Sequence, residues 1–561
     1  MSNTPTTSNR AKAKRVTQAC DFCHRRGLKC REPPPGSLDA SSCLTCLDYG
    51  QQCTRHRRPK KRGTKPQGSL NQGEDVIPTS KNETFANSFA IITGASPSSI
   101  LTSRKIITAL LDVYLDTIHP MFPFFCEREI WVGWRDGTFP HETSDYTSLM
   151  CMCALSAQHV GNGALFTDDE PLPDTATFAQ DYLREATRLV SLDMESAHLV
   201  DLIRSYGFLA LLGAQNGDTA MVHKYLAYYH GACAQSNFHD ESKWPADASV
   251  CEREVRRRLW WAMYRLEVQT ACVLGSLIRC SETQCDVGYP SGPHHPAFIP
   301  GREGQFEDWF SGWNATTDLY RVLEHVVSNF RSTRRNTSAM FPESSGTDTE
   351  LVMEKLATIQ EQLQPQFGAV SSRSTDSGRN RCGFQACNIL CTIHLARMIT
   401  CLTGDNSLAS ACRTAQAMME SMDSTPPEYI RATGSPLLQQ LAGVGHMLLG
   451  VARKNIPSQT DYSMLRSVLV SIITFLARFG EYSKLVATAQ EKLSAQLVDF
   501  DHHVQSAVLH TSTVEEDDVC HEPYFSELNP SNFTLDGNDH AFLYVDLLKD
   551  FTWPYGAKSP R

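Results

Sequence analysis

Apolar residues recur at three- and four-residue steps over most of the 561-residue chain, and the pattern begins abruptly near residue 103. Ile107, Leu110, Leu111, Tyr114, Leu115 and Ile118 share one face at this period, which predicts an amphipathic helix that His119-Pro120 ends. The same reading predicts helices over 146–160, 178–190, 202–212, 222–234 and 252–268. Further helices are expected over 317–330, 351–363, 386–402, 413–422, 437–451 and 465–479. No run alternates with the two-residue period of a strand, so the expected body is all-helical. The most apolar stretch, 465–479, is short and interrupted by Arg466 and Arg478, which argues against a bilayer span. Residues 67–100 lack the pattern. They are rich in Ser, Thr, Asn, Gly and Pro and read as a flexible linker, without the apolar heptads of a dimerising coiled coil, so monomer and dimer both stay open.

Charge divides the chain at the same place. Residues 1–66 hold 15 Lys and Arg against 4 Asp and Glu, while the rest holds 37 against 58. The net charge of −10 therefore averages a basic arm suited to a polyanion and an acidic body that is not. The first nineteen residues are polar and basic, unlike a secretory signal, and the expected protein is neither secreted nor in a membrane.

Of twenty cysteines, six fall between Cys20 and Cys53. The other fourteen are scattered from Cys126 to Cys520 and read as buried thiols. Cys20, Cys23 and Cys30 are separated by two and then six residues, and Cys43, Cys46 and Cys53 repeat that spacing. A two-residue gap lets both thiolates reach one tetrahedral ion, and about two helical turns return a third. Two ions need eight sulfur positions, which six thiolates fill if two of them bridge. A disulfide framework fits the count but not an intracellular chain. Two separate zinc sites would need extra ligands, and His24 adjoins Cys23 too closely to close one. The expected cofactor is two Zn2+ ions per chain, supplying the folding free energy of a segment with almost no core.

The run Cys20-Asp21-Phe22-Cys23-His24-Arg25-Arg26-Gly27-Leu28-Lys29-Cys30 resembles the first half of the Zn2Cys6 family of fungal transcription regulators. The resemblance implies that Cys20 and Cys43 bridge the two metals. It also implies that the short helix after Cys23 enters the major groove, typically over CGG triplets. Gly27 stands where members usually carry a base-reading Lys or Arg, and Ser41 where many have a proline. Arg25, Arg26, Lys29 and Arg31 more than offset the −2 charge of six thiolates with two zinc ions, and Arg and Lys pair with guanine and phosphate. Arg26 and Lys29 are the first candidates for base contact. Arg57, Arg58, Lys60, Lys61 and Arg62 follow the last cysteine and suit both phosphate contact and nuclear import.

Further on, His119-Pro120-Met121-Phe122-Pro123-Phe124-Phe125 resembles the opening of the middle homology region of that family. Arg256-Arg257-Arg258-Leu259-Trp260-Trp261-Ala262-Met263-Tyr264 resembles its most recognisable helix, and Leu274-Gly275 through Tyr289-Pro290 the segment after it. The likeness covers roughly residues 100–330 and implies a region that restrains or licenses activation, in some members by sensing a small-molecule inducer. Arg256 to Arg258, beside Glu252 and Glu254, are read as a salt-bridged face, and Phe122, Phe124, Phe125, Trp131 and Trp134 as core.

Residues 513–550 hold ten Asp and Glu and one Lys among ten Tyr, Phe and Leu side chains. That pattern suits a segment offered to a coactivator, and equally a last amphipathic helix over 541–551. The expected organisation is a disordered basic arm (1–19), a zinc-cluster DNA-binding module with its tail (20–66), a linker (67–100), a helical regulatory domain (101–500) and an acidic-hydrophobic tail (501–561). The fold class is mainly α. No phosphate loop, dinucleotide fingerprint, HExxH or nucleophile elbow is present, so an enzyme is not expected. The expected function is a nuclear, sequence-specific RNA polymerase II regulator of double-stranded DNA, more an activator than a repressor, of catabolic or secondary-metabolite genes. A zinc-scaffolded protein adaptor is the rival.

Overall fold

The periodic stretches of the body fold as helices, most of them longer than their apolar pattern by a few residues at each end. In this computed structural model the described residues are 19–21, 23, 28–31, 42–49, 52–54, 79–94, 101–164, 175–192, 198–291, 308–334, 349–403, 408–453 and 457–512. The chain divides into two units, residues 1–76 and 77–561.

The first unit contains one short helix among its described residues that carries an N-cap, α1 (Leu44–Asp48). The second begins with α2 (Thr79–Thr93), α3 (Arg104–Val113, continued by a π turn over Tyr114–Ile118), α4 (Glu127–Asp136), α5 (Thr143–Gly161), α6 (Thr175–Leu189), α7 (Leu199–Asn216) and α8 (Thr219–Gln235). The long helices α9 (Val250–Leu274) and α10 (Trp309–Arg334) follow, then α11 (Thr349–Glu361), α12 (Ser377–Thr403), α13 (Leu408–Ser424), α14 (Pro427–Thr433), α15 (Ser435–Ala452), α16 (Gln459–Gly480) and α17 (Lys484–Ser512). No strand occurs among the described residues; an isolated bridge pairs Asp240 with Asp286. The protein is mainly α, as its apolar period predicts.

Local sequence sets the helix ends. Ser103, Ser249 and Ser458 each turn a hydroxyl to an N–H three residues on, satisfying a donor that the first turn leaves orphaned. Gly275 stops α9 at φ +65°, a conformation that side chains with a Cβ resist. Helix α16 is long and apolar enough to cross a membrane, but Leu465, Leu469, Ile472 and Leu476 are fully buried in the body's core.

The segment His119–Phe125 explains how the body is knit together. Beyond the π turn it continues as turns and irregular chain rather than helix, so its carbonyls need partners from elsewhere. The Met121 carbonyl accepts from Arg265 (2.7 Å) and from the Trp313 indole (3.1 Å), and the Pro120 carbonyl from Gln385 (2.6 Å). The Phe122 carbonyl accepts from the Tyr114 hydroxyl (3.0 Å), which in turn accepts from the Phe124 N–H (3.1 Å). Arg204 donates to the Phe124 carbonyl at 2.8 Å. Helices α7, α9, α10 and α12 therefore meet on one buried stretch, with Phe124 and Phe125 in the core and Phe122 at its edge. The arginines stack on aromatic faces, Arg204 on Phe125 at 4.3 Å and Arg265 on Trp313 at 4.0 Å, so their charge is met by π electrons as well as carbonyls.

Two expectations change at the domain edges. The stretch expected as linker to residue 100 contains α2, because Phe85 and Phe89 lie one turn apart and dock on the body. Phe85 meets Trp134 edge-on at 5.2 Å and Phe89 meets Tyr146 at 5.4 Å. Two buried phenyl rings stabilise by about 2–3 kcal/mol each, enough to order a polar segment against its composition. The expected tail from 501 begins inside α17, which buries Phe500 and Val504 and runs to Ser512. Residues 513–561 lie outside the described residues, as do 1–18.

Candidate metal centre and nucleic-acid interface

The two cysteine halves repeat one local device. The Cys23 N–H points at the Cys20 sulfur (3.5 Å), and the Cys46 N–H at the Cys43 sulfur (3.3 Å). Cys43 is the N-cap of α1, so the second half begins its helix with a thiol where a hydroxyl would ordinarily stand. The Cys43 N–H in turn donates to the Cys53 sulfur at 3.4 Å. All six cysteines gather in one small cluster, with Leu28 and Ala19 packed against it.

Sulfur–sulfur distances show how the halves meet. Cys20 lies 3.7 Å from Cys43 and 3.5 Å from Cys46, and Cys43 lies 3.7 Å from Cys23. Thus Cys20 and Cys43 touch each other, and each also touches the second cysteine of the opposite half. A tetrahedron of sulfurs at about 2.3 Å from zinc has edges of roughly 3.8 Å, so these spacings suit thiolates around a metal and are far too long for disulfides. The donor set is all soft sulfur, and Cys20, Cys23, Cys43 and Cys46 come close enough together to hold an ion. The residues fit zinc.

Ionisation separates the same two thiols from the rest. Burial opposes charge at Cys20, but the Cys23 N–H and the thiols of Cys23, Cys46 and Cys43 donate to it and hold it down at about 6. Cys43 is lowered by the same arrangement, burial working against donors from the Cys46 N–H and the Cys46, Cys23 and Cys30 thiols. Cys23 is pushed up to about 12 by burial and by its bonds to Cys20 and Cys43. The two shared sulfurs are thus the first to become thiolate.

Hydrogen bonds outside the sulfurs clasp the halves. The Asp21 N–H donates to the Thr54 carbonyl and the Thr54 hydroxyl to the Asp21 carboxylate, both at 2.9 Å. The Thr45 hydroxyl donates to the Lys29 carbonyl at 2.8 Å, and the Leu44 N–H to that of Arg31 at 2.9 Å. Lys29 is thereby fixed along its backbone while its side chain stays exposed. Arg31 is also exposed but pairs with Asp48 at 2.7 Å, so it is less free for DNA than its position predicts. Arg25, Arg26, Arg57, Arg58, Lys60, Lys61 and Arg62 lie outside the described residues. The Asp21–Thr54 and Thr45–Lys29 clasps carry no spacing signature and are not visible in the sequence.

In the body, the basic run on α9 is structural. Arg256 pairs with Glu252 (2.7 Å), Arg257 with Glu254 (2.7 Å) and with Glu241, and buried Arg258 stacks on Phe310 at 4.6 Å. Residues 111–339, which contain this helix and the His119–Phe125 segment, match the model of the fungal specific transcription factor domain.

That stretch is similar to a fungal specific transcription factor domain.

Among its relatives, a maltose fermentation regulatory protein of Saccharomyces cerevisiae is 26% identical over 147 residues, which is 26% of this chain and 28% of that protein. Activator of stress genes 1, from the same yeast, is 30% identical over 103 residues, 18% of this chain and 9% of its own length. The matched stretches thus span well under two thirds of either relative. The transcription factor domain match takes in every helix from α4 to α10 together with the π turn at the end of α3. Within it, one expectation is corrected. The cysteines beyond the cluster are not uniformly buried: Cys126, Cys251, Cys280 and Cys285 are partly exposed, as is Cys401 beyond the domain. Two mixed clusters result, Cys126–Glu129–Cys251 and His230–Glu267–Cys280, each assembled from residues too far apart in sequence to show a motif.

Proposed function

We propose that residues 20–66 bind duplex DNA as a two-zinc, six-thiolate module and that the helical domain regulates transcription from the bound site. The observation that carries this reading is the reciprocal contact of Cys20 and Cys43 across the two halves, ahead of a fungal specific transcription factor domain. Cys20, Cys23, Cys30 and Cys43 would hold one zinc ion and Cys20, Cys43, Cys46 and Cys53 the other. Zinc supplies an inert, redox-silent cross-link that holds the thiolates and so folds the module.

The chain's own residues do the recognition. Lys29, with Arg25 and Arg26, would face the bases and nearby phosphates, and Arg57, Arg58, Lys60, Lys61 and Arg62 the DNA backbone, with Arg31 joining when it leaves Asp48. Phosphate contacts supply most of the affinity and the base contacts the selectivity. The same basic tail suits nuclear import, so the reading places the chain in the nucleus as an RNA polymerase II regulator. The acidic residues 513–550 favour an activator that engages coactivators, and the domain would answer a small-molecule inducer. The yeast relatives favour a catabolic or stress pathway over others. No catalytic step belongs to this reading.

Selection of random duplexes by zinc-loaded full chain, repeated with a chelator, tests it. Zinc-dependent enrichment of a CGG-containing site is expected, and a different enriched triplet would trace to Gly27. Failure to enrich any duplex at low salt by a chain holding two zinc ions would move the module to protein binding.

A further inference from the structure

Outside the cluster, one pair of thiols stands apart by geometry. Cys126 is the residue that leads into α4, and Cys251 lies in the first turn of α9. They are 125 residues apart in the chain, yet their sulfurs and a Glu129 carboxylate oxygen all lie within 4.8 Å of one another. Both cysteines are partly exposed. Cys126 lines a cavity of about 420 Å³, with Phe125, Glu129, Arg204, Ser249 and Arg256 around it, so a small reagent reaches it from solvent.

We infer that Cys126 and Cys251 form a redox modification site, which a hydroperoxide converts to a disulfide through a sulfenic acid at Cys126. The thiolate of Cys126 attacks a peroxide oxygen, an S–O bond forms, the O–O bond breaks, and hydroxide or alkoxide leaves. The Cys251 thiol then attacks the sulfenic sulfur, the S–S bond forms, the S–O bond breaks, and water leaves with the Cys251 proton. Two thiols are oxidised and one peroxide is reduced. The Cys251 thiol, hydrogen-bonded to Cys126, holds it down at about 7 against the opposing effect of burial; the Glu129 N–H and the Arg258 guanidinium help, while the Glu129 carboxylate opposes. An accessible thiolate beside a second thiol is the arrangement that peroxide oxidises first, because the thiolate is the nucleophile and the partner resolves the sulfenic acid.

Among the described residues, the other thiols closest to this arrangement lack one element or another. Cys387 and Cys391 are one turn apart in α12 but buried. Cys151 and Cys153 are buried and pushed up in pKa by that burial. Cys280 faces His230 at 3.2 Å rather than a thiol, and burial and Glu267 push it up to about 12. A disulfide at 126–251 would tie the entry of α4 to that of α9, the helix whose Arg265 bonds the body's central segment at Met121.

The test uses the zinc-loaded full chain treated with hydrogen peroxide, alkylated without denaturant and mapped by peptide mass. A cross-linked peptide joining Cys126 to Cys251 is expected, forming roughly tenfold faster than oxidation of the buried Cys151, Cys153, Cys387 or Cys391. Cys251→Ser should accumulate a Cys126 sulfenic acid that a 1,3-dione reagent traps, and Cys126→Ser should give neither product. Absence of the cross-link in the native chain, or oxidation of Cys126 no faster than that of the buried thiols, overturns the inference. So does protection of both thiols by added zinc ion without any peroxide cross-link, which would make the pair a metal site. The readout is a peptide mass and holds whether or not the chain binds DNA.

Discussion

The cysteine module and the helical body reach a fixed structure by opposite means. In the module, sulfurs 3.5–3.7 Å apart are the core, and among the described residues the apolar side chains packed on them are Leu28 and Ala19. In the body, the core runs from Phe85 to Val504, and its polar interior is arginine stacked on aromatic rings and bonded to the carbonyls of His119–Phe125. The module therefore stands or falls with one ligand set, whereas the body spreads its stability over many contacts, each individually replaceable. The largest test of this contrast is to remove one shared sulfur. Cys43→Ala should abolish stoichiometric zinc binding and lower DNA affinity by roughly 100-fold or more, because metal binding is the module's folding free energy. All eight tryptophans lie beyond residue 130, seven of them in the described body, so none of their fluorescence comes from the module. That signal should melt in urea within about 0.5 kcal/mol of wild type, as expected for distant sites. A shifted tryptophan transition would mean that the two units do not fold independently.

The converse change strikes the body and spares the zinc. Gly383 in α12 has no room for a methyl group: a Cβ there would lie 2.4 Å from the Tyr429 hydroxyl oxygen and 2.5 Å from the ring carbon that bears it. Alanine normally stabilises a helix by up to about 1 kcal/mol over glycine, so propensity and packing predict opposite signs here. Tyr429 is fully buried and cannot retreat, so the clash decides. Gly383→Ala should destabilise the tryptophan-reported transition by about 1–3 kcal/mol while the zinc content stays that of the wild type. A stabilised variant would show that α12 and α14 can separate freely.

These two changes also show what the sequence could disclose. The clustering of the six cysteines is legible from their spacing, since ligation of a metal would demand particular residues at particular intervals. Helices of the body are legible because burial imposes a period of about 3.6 residues, and most predicted stretches lie inside observed helices. The period is silent where a helix borrows its stability. Helix α2 has two buried aromatic anchors, Phe85 and Phe89, with Ile92 packed at the core's edge, in a polar context, and docking against Trp134 and Tyr146 supplies the stability its composition lacks. Equally, nothing local to Arg204, Arg265, Trp313 or Gln385 announces that they converge on one stretch of backbone. The pairing of Cys126 with Cys251 is hidden for the same reason: contact across 125 residues leaves no spacing to read.

Acid should separate the regions more gently. His119 is fully buried, and burial holds it down at about 3, so it stays neutral in the folded body. In the unfolded chain the same imidazole takes a proton below about pH 6.5. Its contribution is therefore complete above that pH and is lost as pH falls from 6.5 toward 3, at up to about 1.4 kcal/mol per pH unit. His159, also lowered by burial, acts in the same direction. Urea midpoints of the tryptophan signal at pH 7.5 and 5.5 should differ accordingly, and His119→Gln should flatten the difference, since an amide can still donate to the Phe125 carbonyl. An unchanged slope in that variant would show that His119 is not a source of the pH dependence.

The narrowest contrast distinguishes two kinds of lysine within the module. Lys29 is exposed, and its carbonyl is pinned by Thr45 at 2.8 Å, so its side chain leaves the scaffold from a fixed point. A group positioned in this way can discriminate between bases, and Lys29→Ala should cost about 1–3 kcal/mol on the selected site and much less on random duplex. Lys61 belongs to a basic run beyond the last cysteine and has no ligand spacing to orient it. It should act only as charge near phosphate. Lys61→Ala should therefore weaken every duplex by the same few-fold factor and reduce the slope of log K against log salt by about 0.9, one released counterion. Titrations of both variants against the selected site and a scrambled duplex, at three salt concentrations, read the two slopes and the two ratios at once. Equal losses for Lys29→Ala on both duplexes would reduce it to another phosphate contact. Selectivity lost with Lys61→Ala would mean that the tail, not the cysteine scaffold, reads the sequence.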